Sequence, residues 1–422
     1  MSSQRSASPR GSATFSQKTL RNELLQASVV VSALGYFVDI YDLILFSIVR
    51  IPSLKALGAT QDRLLTDGVW VLDMQMIGML LGGFFWGIWG DRKGRLSVLF
   101  GSILLYSVAN ILNAFVSTIT QYGILRFVAG LGLAGELGAA ITLVSESVRR
   151  EFRGYATALV AGIGVSGAIF AGITAELLDW RWAYAIGGCL GLSLLVLRIR
   201  VMESPMFAAK QNTSVRLGDF RMLFSSWHRF RKYLATVLVG APIWFVIGVL
   251  ITFSPELTKI LDAQGEVRAS YAVMCAYGGL MIGDLGSGCL SQWIGSRRKV
   301  ILGSLVGIVV CMIAYLFHRG GSPTVYYVLA FFLGTFSGYW AIFTTIAAEQ
   351  FGTNLRATVA ITAPNVVRGL LVPMTAAVQM LKHSIGLRDA ALIVGAIVLF
   401  IAFIANYALE ETHSRDLDFH EF

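Results

Sequence analysis

The chain reads as long apolar runs separated by short polar connections. A helix needs roughly 20 apolar residues to cross a hydrocarbon core of about 30 Å. On that ruler twelve runs qualify, at about 26–50, 68–90, 96–115, 119–148, 154–178, 180–199, 232–258, 269–294, 299–317, 323–348, 357–382 and 388–409. Membrane β-strands would show as alternating segments of about 10 residues, and the chain has none. Backbone groups in lipid must satisfy one another, so the runs predict helices. The predicted fold class is an all-α membrane protein with twelve transmembrane helices.

The polar stretches divide these runs. Residues 1–25 are Ser-rich and basic and lead straight into a long span, as a cytosolic tail does and a cleavable signal does not. The longest internal polar stretch, 200–231, separates six spans (26–199) from six more (232–410), and 411–422 forms a second tail. A repeat crosses this linker. "SESVRREFRGYATALV" after the fourth span matches "AAEQFGTNLRATVAI" after the tenth at an offset of 203, and "GDRKGRLSVLFGS" faces "WIGSRRKVILGS" at nearly the same offset. Parallel six-helix repeats are a transporter architecture, with the substrate held near the midplane between the halves.

Composition agrees: 55% of residues are hydrophobic and 14% charged, where soluble domains carry roughly 25% charge. The net charge of +9 has a topological reading. Of the 34 Lys and Arg, nine fall on one side, Arg126 and Arg368 lie within spans, and the rest fall on the side of the termini and linker. That bias predicts both termini in the cytosol and a cytoplasmic-membrane location, and it leaves no case for nucleic acid. The four cysteines sit in apolar runs, where they act as small hydrophobes. The five histidines lie in loops or tails and form no metal-ligand pattern. No hydrolase or nucleotide-binding motif is present, so no enzyme activity and no cofactor are expected.

Gly87-Ile-Trp-Gly-Asp91-Arg92-Lys93-Gly94-Arg95 resembles the signature between spans two and three of the major facilitator superfamily; the second-half copy lacks the Asp. Arg126-Phe-Val-Ala-Gly-Leu-Gly-Leu-Ala-Gly-Glu136, followed by Ser145-Glu146, is similar to the fourth span of the branch holding sugar porters, phosphate symporters and organic-ion transporters. The first span, "GYFVDIYDLILFS", resembles the Asp-x-Tyr-Asp element of aromatic-acid and phosphate symporters. The resemblance covers about residues 25 to 411. It implies alternating access driven by the proton gradient.

Charges within spans are costly and mark function. Asp39 and Asp42 lie three apart on one helix face, and two carboxylates in a low-dielectric site resist ionising together. They are the expected proton-coupling pair, confined to one half because their repeat counterparts are Pro242 and Phe245. Arg126 is the expected relay or neutralising cation. Glu136 falls where the resemblance implies an acid in phosphate and sugar porters. Arg368, between Pro364 and Pro373 on the eleventh span, is the candidate anion ligand: its fork stays charged when buried and fits a carboxylate. The alternative is a structural ion pair with Asp284 or Glu136. Tyr36, Tyr41, Trp244, Tyr339 and Trp340 are the candidate aromatic lining, although many membrane aromatics face lipid instead. Asp73 and Asp284 divide between cavity and packing roles. Asp91, Arg92, Arg95, Glu146, Arg153, Glu349 and Arg356 form the expected cytosolic gate.

The expectation is a proton-coupled symporter of a small organic anion, a carboxylate, acting as a monomer in the bilayer. A phosphate symporter is disfavoured because Gly248 stands where an acid follows the span-seven Trp, and Leu137 stands where a Tyr follows the span-four acid. A sugar porter is disfavoured because spans five and seven contain no Gln. A proton-driven drug exporter would use the same acids but has no need of a buried arginine.

Overall fold

In the computed structural model, residues 26–93, 95–136, 153–202 and 223–412 are described, and every regular element among them is helical. The first half contains α1 (Ala27–Ala56), α2 (Leu64–Lys93), α3 (Arg95–Asn113), α4 (Ile119–Leu133), α5 (Arg153–Leu177) and α6 (Trp180–Met202). In the second half α7 (Trp227–Phe245) runs through a π turn (Val246–Ile251) to the short α8 (Ser254–Ile260). There follow α9 (Ala269–Ile294), α10 (Arg297–Phe317), α11 (Pro323–Ser337), α12 (Trp340–Glu349), α13 (Thr353–Gly369), α14 (Leu371–Ile385) and α15 (Leu387–Ala408).

Among the described residues, ten helical stretches are long and apolar enough to cross a membrane, counting Pro323–Glu349 and Thr358–Ile385 as one each. At the expected third and fourth spans stand two shorter apolar helices, Ser97–Asn113 and Ile119–Leu133. The expected fourth span, 119–148, runs into 137–152, outside the described residues.

Small residues set the closest helix contacts. A Cβ on Gly78 or Gly82 would overlap the Phe127 or Leu131 carbonyl, which brings α2 against α4. Gly279 and Gly283 stand in the same relation to Phe331 and Thr335, bringing α9 against α11. The two halves thus repeat one packing device at equivalent helices.

Three of the expected spans are interrupted. In the seventh, Pro242 precedes the π turn, and Thr252 donates back to the Ile247 carbonyl at 2.8 Å. The tenth breaks between Ser337 and Trp340, where α9 supplies the missing partners: Asp284 accepts from the Ala341 N–H at 3.1 Å, and Ser287 donates to the Gly338 carbonyl at 2.7 Å. The eleventh breaks at Leu370, between Pro364 and Pro373. Pro373 lies in the first turn of α14, where a missing N–H costs little. Gly248 of the π turn packs directly on Leu371, so two of the interruptions meet.

The helix ends define two faces. We call the linker face the one reached by the start of α1, the end of α6, the start of α7 and the end of α15. Among the described residues, the opposite, far face carries most of the hydrogen bonds between the halves. Arg50 of α1 donates to Glu256 at 2.7 Å and to the Thr252 carbonyl at 3.3 Å. The Thr252 and Ser47 hydroxyls share a hydrogen bond at 3.0 Å, and Thr375 donates to Asp73 at 2.7 Å. Arg268 pairs with Glu176 at 2.9 Å, and Ser270 joins the same carboxylate. The far face is therefore closed.

Candidate functional site

Several buried charges stand close together among α1, α3, α4 and α6. Asp39 and Asp42 project from one face of α1 and are both fully buried. Asn110 of α3 donates its amide to Asp42 Oδ2, and its amide oxygen accepts from Arg126 of α4. Arg126 stands 3.9 Å from Asp42 Oδ1 and lies over the Tyr184 ring at 4.7 Å. Tyr184 and Tyr122 share a 2.6 Å hydroxyl hydrogen bond behind it. A linker-face turn away, Glu136 is clasped by both terminal nitrogens of Arg198 from α6. Gly35 leaves the room for that clasp, since a Cβ there would meet both side chains. The first half therefore neutralises two of its three central acids internally. Asp39 is the third. Neither of its oxygens has a hydrogen-bond partner among the described residues. Arg368, Glu136, Asp42 and Arg198 all lie within electrostatic reach of it.

Arg368 comes from the opposite half, near the end of α13, with 1% exposure. No carboxylate among the described residues lies within ion-pair distance of it, and its Nη1 donates to Asn365 at 3.3 Å. The Trp244 and Trp340 rings stand 5.7 and 5.8 Å from its Cζ. The Trp244 indole N–H is buried without a partner. The expected structural partners are engaged elsewhere: Glu136 by Arg198, and Asp284 by the start of α12. A guanidinium between two aromatic rings, facing an unpartnered carboxylate, can accept a flat carboxylate by charge and by stacking. Among the described residues no group of three or more His, Cys, Asp or Glu stands together to hold a metal.

The Major Facilitator Superfamily description matches residues 32–377. The chain belongs to that superfamily. It is a multi-pass membrane transporter, not an enzyme. As a facilitator it is similar to the niacin transporter NiaP of Acinetobacter baylyi, 27% identical over 92% of this chain and 94% of that protein. It is 25% identical to the gentisate transporter of Corynebacterium glutamicum, over 92% of this chain and 89% of that protein. A probable 4-methylmuconolactone transporter of Cupriavidus pinatubonensis is 26% identical, over 84% and 83%. The crystal structure of a D-xylose-proton symporter superposes with a TM-score of 0.69 at 16% identity, over 93% of this chain and 99% of that one, which shows the shared fold.

Against this facilitator framework the expected residues separate. Trp244 and Trp340 flank Arg368, and Asp39 and Tyr36 of α1 lie within electrostatic reach of it. Tyr41 and Tyr339 do not line that centre by their hydroxyls. Tyr41 donates to the Ala183 carbonyl at 2.7 Å, and Tyr339 to the Val239 carbonyl at 2.8 Å, so both tie helices. Asp73 bonds Thr375 across the halves, and Asp284 caps α12. Of the gate residues, Glu349 pairs with Arg297, joining α12 to α10 within one half. Glu146 lies outside the described residues, as do the side chains of Asp91, Arg92, Arg95, Arg153 and Arg356.

Four functional-looking residues escape the sequence reading. Arg50 and Arg198 stand at the ends of expected spans and count there as rim charges, yet they are 0% and 1% exposed. Asn110 and Asn365 are neutral, so a search for charges in spans passes over them; a search for any Asn or Gln within a span would have found both.

Proposed function

We propose that this facilitator is a proton-coupled symporter of a small aromatic carboxylate, working by alternating access between two six-helix bundles (26–199 and 232–410). It crosses the cytoplasmic membrane twelve times, with α3 and α4 as the third and fourth spans. The linker face is cytosolic, and both tails lie there. The observation that carries this reading is the buried, unpaired Arg368 between Trp244 and Trp340, facing an Asp39 whose carboxylate has no partner. In the empty carrier Asp39 and Arg368 offset each other's charge across the site. An incoming carboxylate takes the guanidinium, and Asp39 then takes a proton, so anion and proton each favour binding of the other. Asp42, with Asn110 and Arg126, relays the proton, and Glu136 with Arg198 is a neutral pair beside that route. The named substrates of the relatives, niacin and gentisate, support an aromatic acid.

Exporters of cationic drugs and neutral-sugar porters lack any use for Arg368, and phosphate lacks any use for the flanking indoles. The test uses purified full-length protein in liposomes with benzoate, niacin and gentisate as probes. At least one accumulates when the outside is acidified, and Asp39→Asn abolishes that accumulation while sparing exchange. Accumulation indifferent to the pH gradient removes the proton claim, and Arg368→Ala with undiminished uptake removes the anion claim.

A further inference from the structure

Asn365 lies one turn from Arg368 toward the linker face and is 2% exposed. Its amide is used at both ends. The Oδ1 accepts from Arg368 Nη1 at 3.3 Å. The Nδ2 donates to the Ile361 carbonyl of its own helix at 3.2 Å and to the Ala134 carbonyl of the other half at 3.1 Å. Ala134 is the C-cap of α4, two residues before Glu136. The side chain is held tightly there. A Cβ on Gly83 of α2 would stand 3.0 Å from Asn365 Cβ and 3.1 Å from its Nδ2, and a Cβ on Gly369 would stand 3.1 Å from Leu80. The other cross-half bonds described above lie toward the far face. This one lies on the linker side of Arg368.

We propose that Asn365 is a positioning residue that makes the anion affinity of Arg368 depend on whether the linker face is closed. With that face closed, Ala134 anchors the amide, and the amide holds one arm of the guanidinium. When the halves part on the linker side, Ala134 leaves with the first half. The amide then loses its anchor and Arg368 loses its orientation. A fork that must be ordered at the moment of binding holds its ligand less tightly than one already placed. The anion is bound well from the far face and released to the linker face. This rests on the assignment of the anion to Arg368.

The experiment measures half-saturation from each face separately, in right-side-out and inverted vesicles or oriented liposomes. The probe is whichever of benzoate, niacin and gentisate the wild type accumulates best. Wild type should show tighter half-saturation at the far face. Asn365→Ala should weaken far-face half-saturation about fivefold, the effect of one net hydrogen bond, and leave the linker-face value unchanged. Gly83→Ala, which presses on the amide without touching Arg368, should shift the same face in the same direction. Asn365→Asp is isosteric but sets a carboxylate against Arg368, and it should abolish anion binding. A merely structural residue would lower the maximal rate or the melting temperature and move both half-saturations together. Equal half-saturation at the two faces in wild type overturns the proposal, as does a parallel shift in Asn365→Ala or normal binding in Asn365→Asp. If Asn365→Ala does not fold, the wild-type asymmetry and Gly83→Ala still decide. Saturable uptake surviving in Arg368→Ala marks the separate failure of the anion assignment, and this inference falls with it.

Discussion

Arg50 and Glu256 close the far face, and Glu256→Gln measures how much that closure is worth. Arg50 is wholly buried, 2.7 Å from Glu256, and its guanidinium lies 4.7 Å above the Phe253 ring. Removing one partner of a fully buried ion pair costs ~3–5 kcal/mol, because the other charge is stranded. Glu256 is 19% exposed, so solvent relieves part of the cost. Two weaker acceptors also remain for Arg50, the carbonyls of Thr252 at 3.3 Å and Leu64 at 3.5 Å. A value of ~2 kcal/mol is then the expected loss. The pair joins α1 to α8 across the halves, so it exists only while the far face is closed. Its loss should move the equilibrium toward the far-face-open state by about 30-fold.

The assay is the labelling rate of a single cysteine at Val69, a far-face position 7% exposed in this state, by a membrane-impermeant maleimide. Cys189, Cys275, Cys289 and Cys311 are first replaced by alanine. Glu256→Gln should raise the rate by roughly the same factor of 30, and an all-apolar replacement, Arg50→Met with Glu256→Leu, should return it most of the way, since it strands no charge. A rate within twofold of wild type in Glu256→Gln would refute the reasoning: the pair would then be a bystander to closure.

Arg198→Ala strands the Glu136 carboxylate in the core and should lower stability by ~3–5 kcal/mol in denaturant titration, with Arg198→Met plus Glu136→Leu recovering most of it. Gly279→Val forces apart α9 and α11 and should cost ~1–3 kcal/mol, whereas Gly278→Val, with open space at its Cβ, should cost far less; thermal melting of the two side by side tests this. Trp244→Phe deletes a buried N–H that has no partner in the empty protein. Its melting temperature should not fall, while carboxylate affinity should drop by about fivefold if the indole donates to the ligand.

The parts legible in the sequence are those with a strong local signal. Long apolar runs gave the spans, and Asp39, Asp42, Arg126 and Arg368 stood out because each interrupts such a run. Arg50 and Arg198 were hidden by the same logic: near a span end, a shift of a few residues separates a rim charge from a buried one, and hydropathy does not resolve that shift. The roles of Asp73 and Asp284 depended on Thr375 and on the break before Trp340, both distant in sequence. The π turn over Val246–Ile251 has no signature beyond the Pro242 that precedes it, and the packing of Gly248 on Leu371 joins residues of different helices that are distant in sequence.

For the proposed symport, the pairing of most other buried charges would let coupling follow from electrostatics. Arg126 with Asp42, Arg198 with Glu136 and Arg50 with Glu256 are each neutral as pairs, so they add no net charge to the site that must reorient. Asp73 and Asp284 keep their hydrogen bonds to Thr375 and to the start of α12 and are taken as unchanged through the cycle, so what varies at the site is Asp39 in one half and Arg368 in the other. Empty, these two sum to zero. Loaded with an anion and a proton, the site again sums to zero. An anion without its proton leaves one net negative charge, and a proton without its anion leaves one net positive charge. A stranded charge costs several kcal/mol in low dielectric, and each 1.4 kcal/mol slows passage through an occluded state about tenfold. On the symport proposed above, the half-loaded forms would be held back by orders of magnitude, while the empty and fully loaded forms would cross freely. That symport would need no further device than one acid and one base left unpaired on opposite halves. It follows that Asp39→Asn, which leaves Arg368 uncompensated in the empty carrier, should slow empty-carrier return while permitting anion-loaded exchange. Net uptake and counterflow, measured on the same liposomes, must then diverge; if both fall together, the charge balance is not what couples the two substrates.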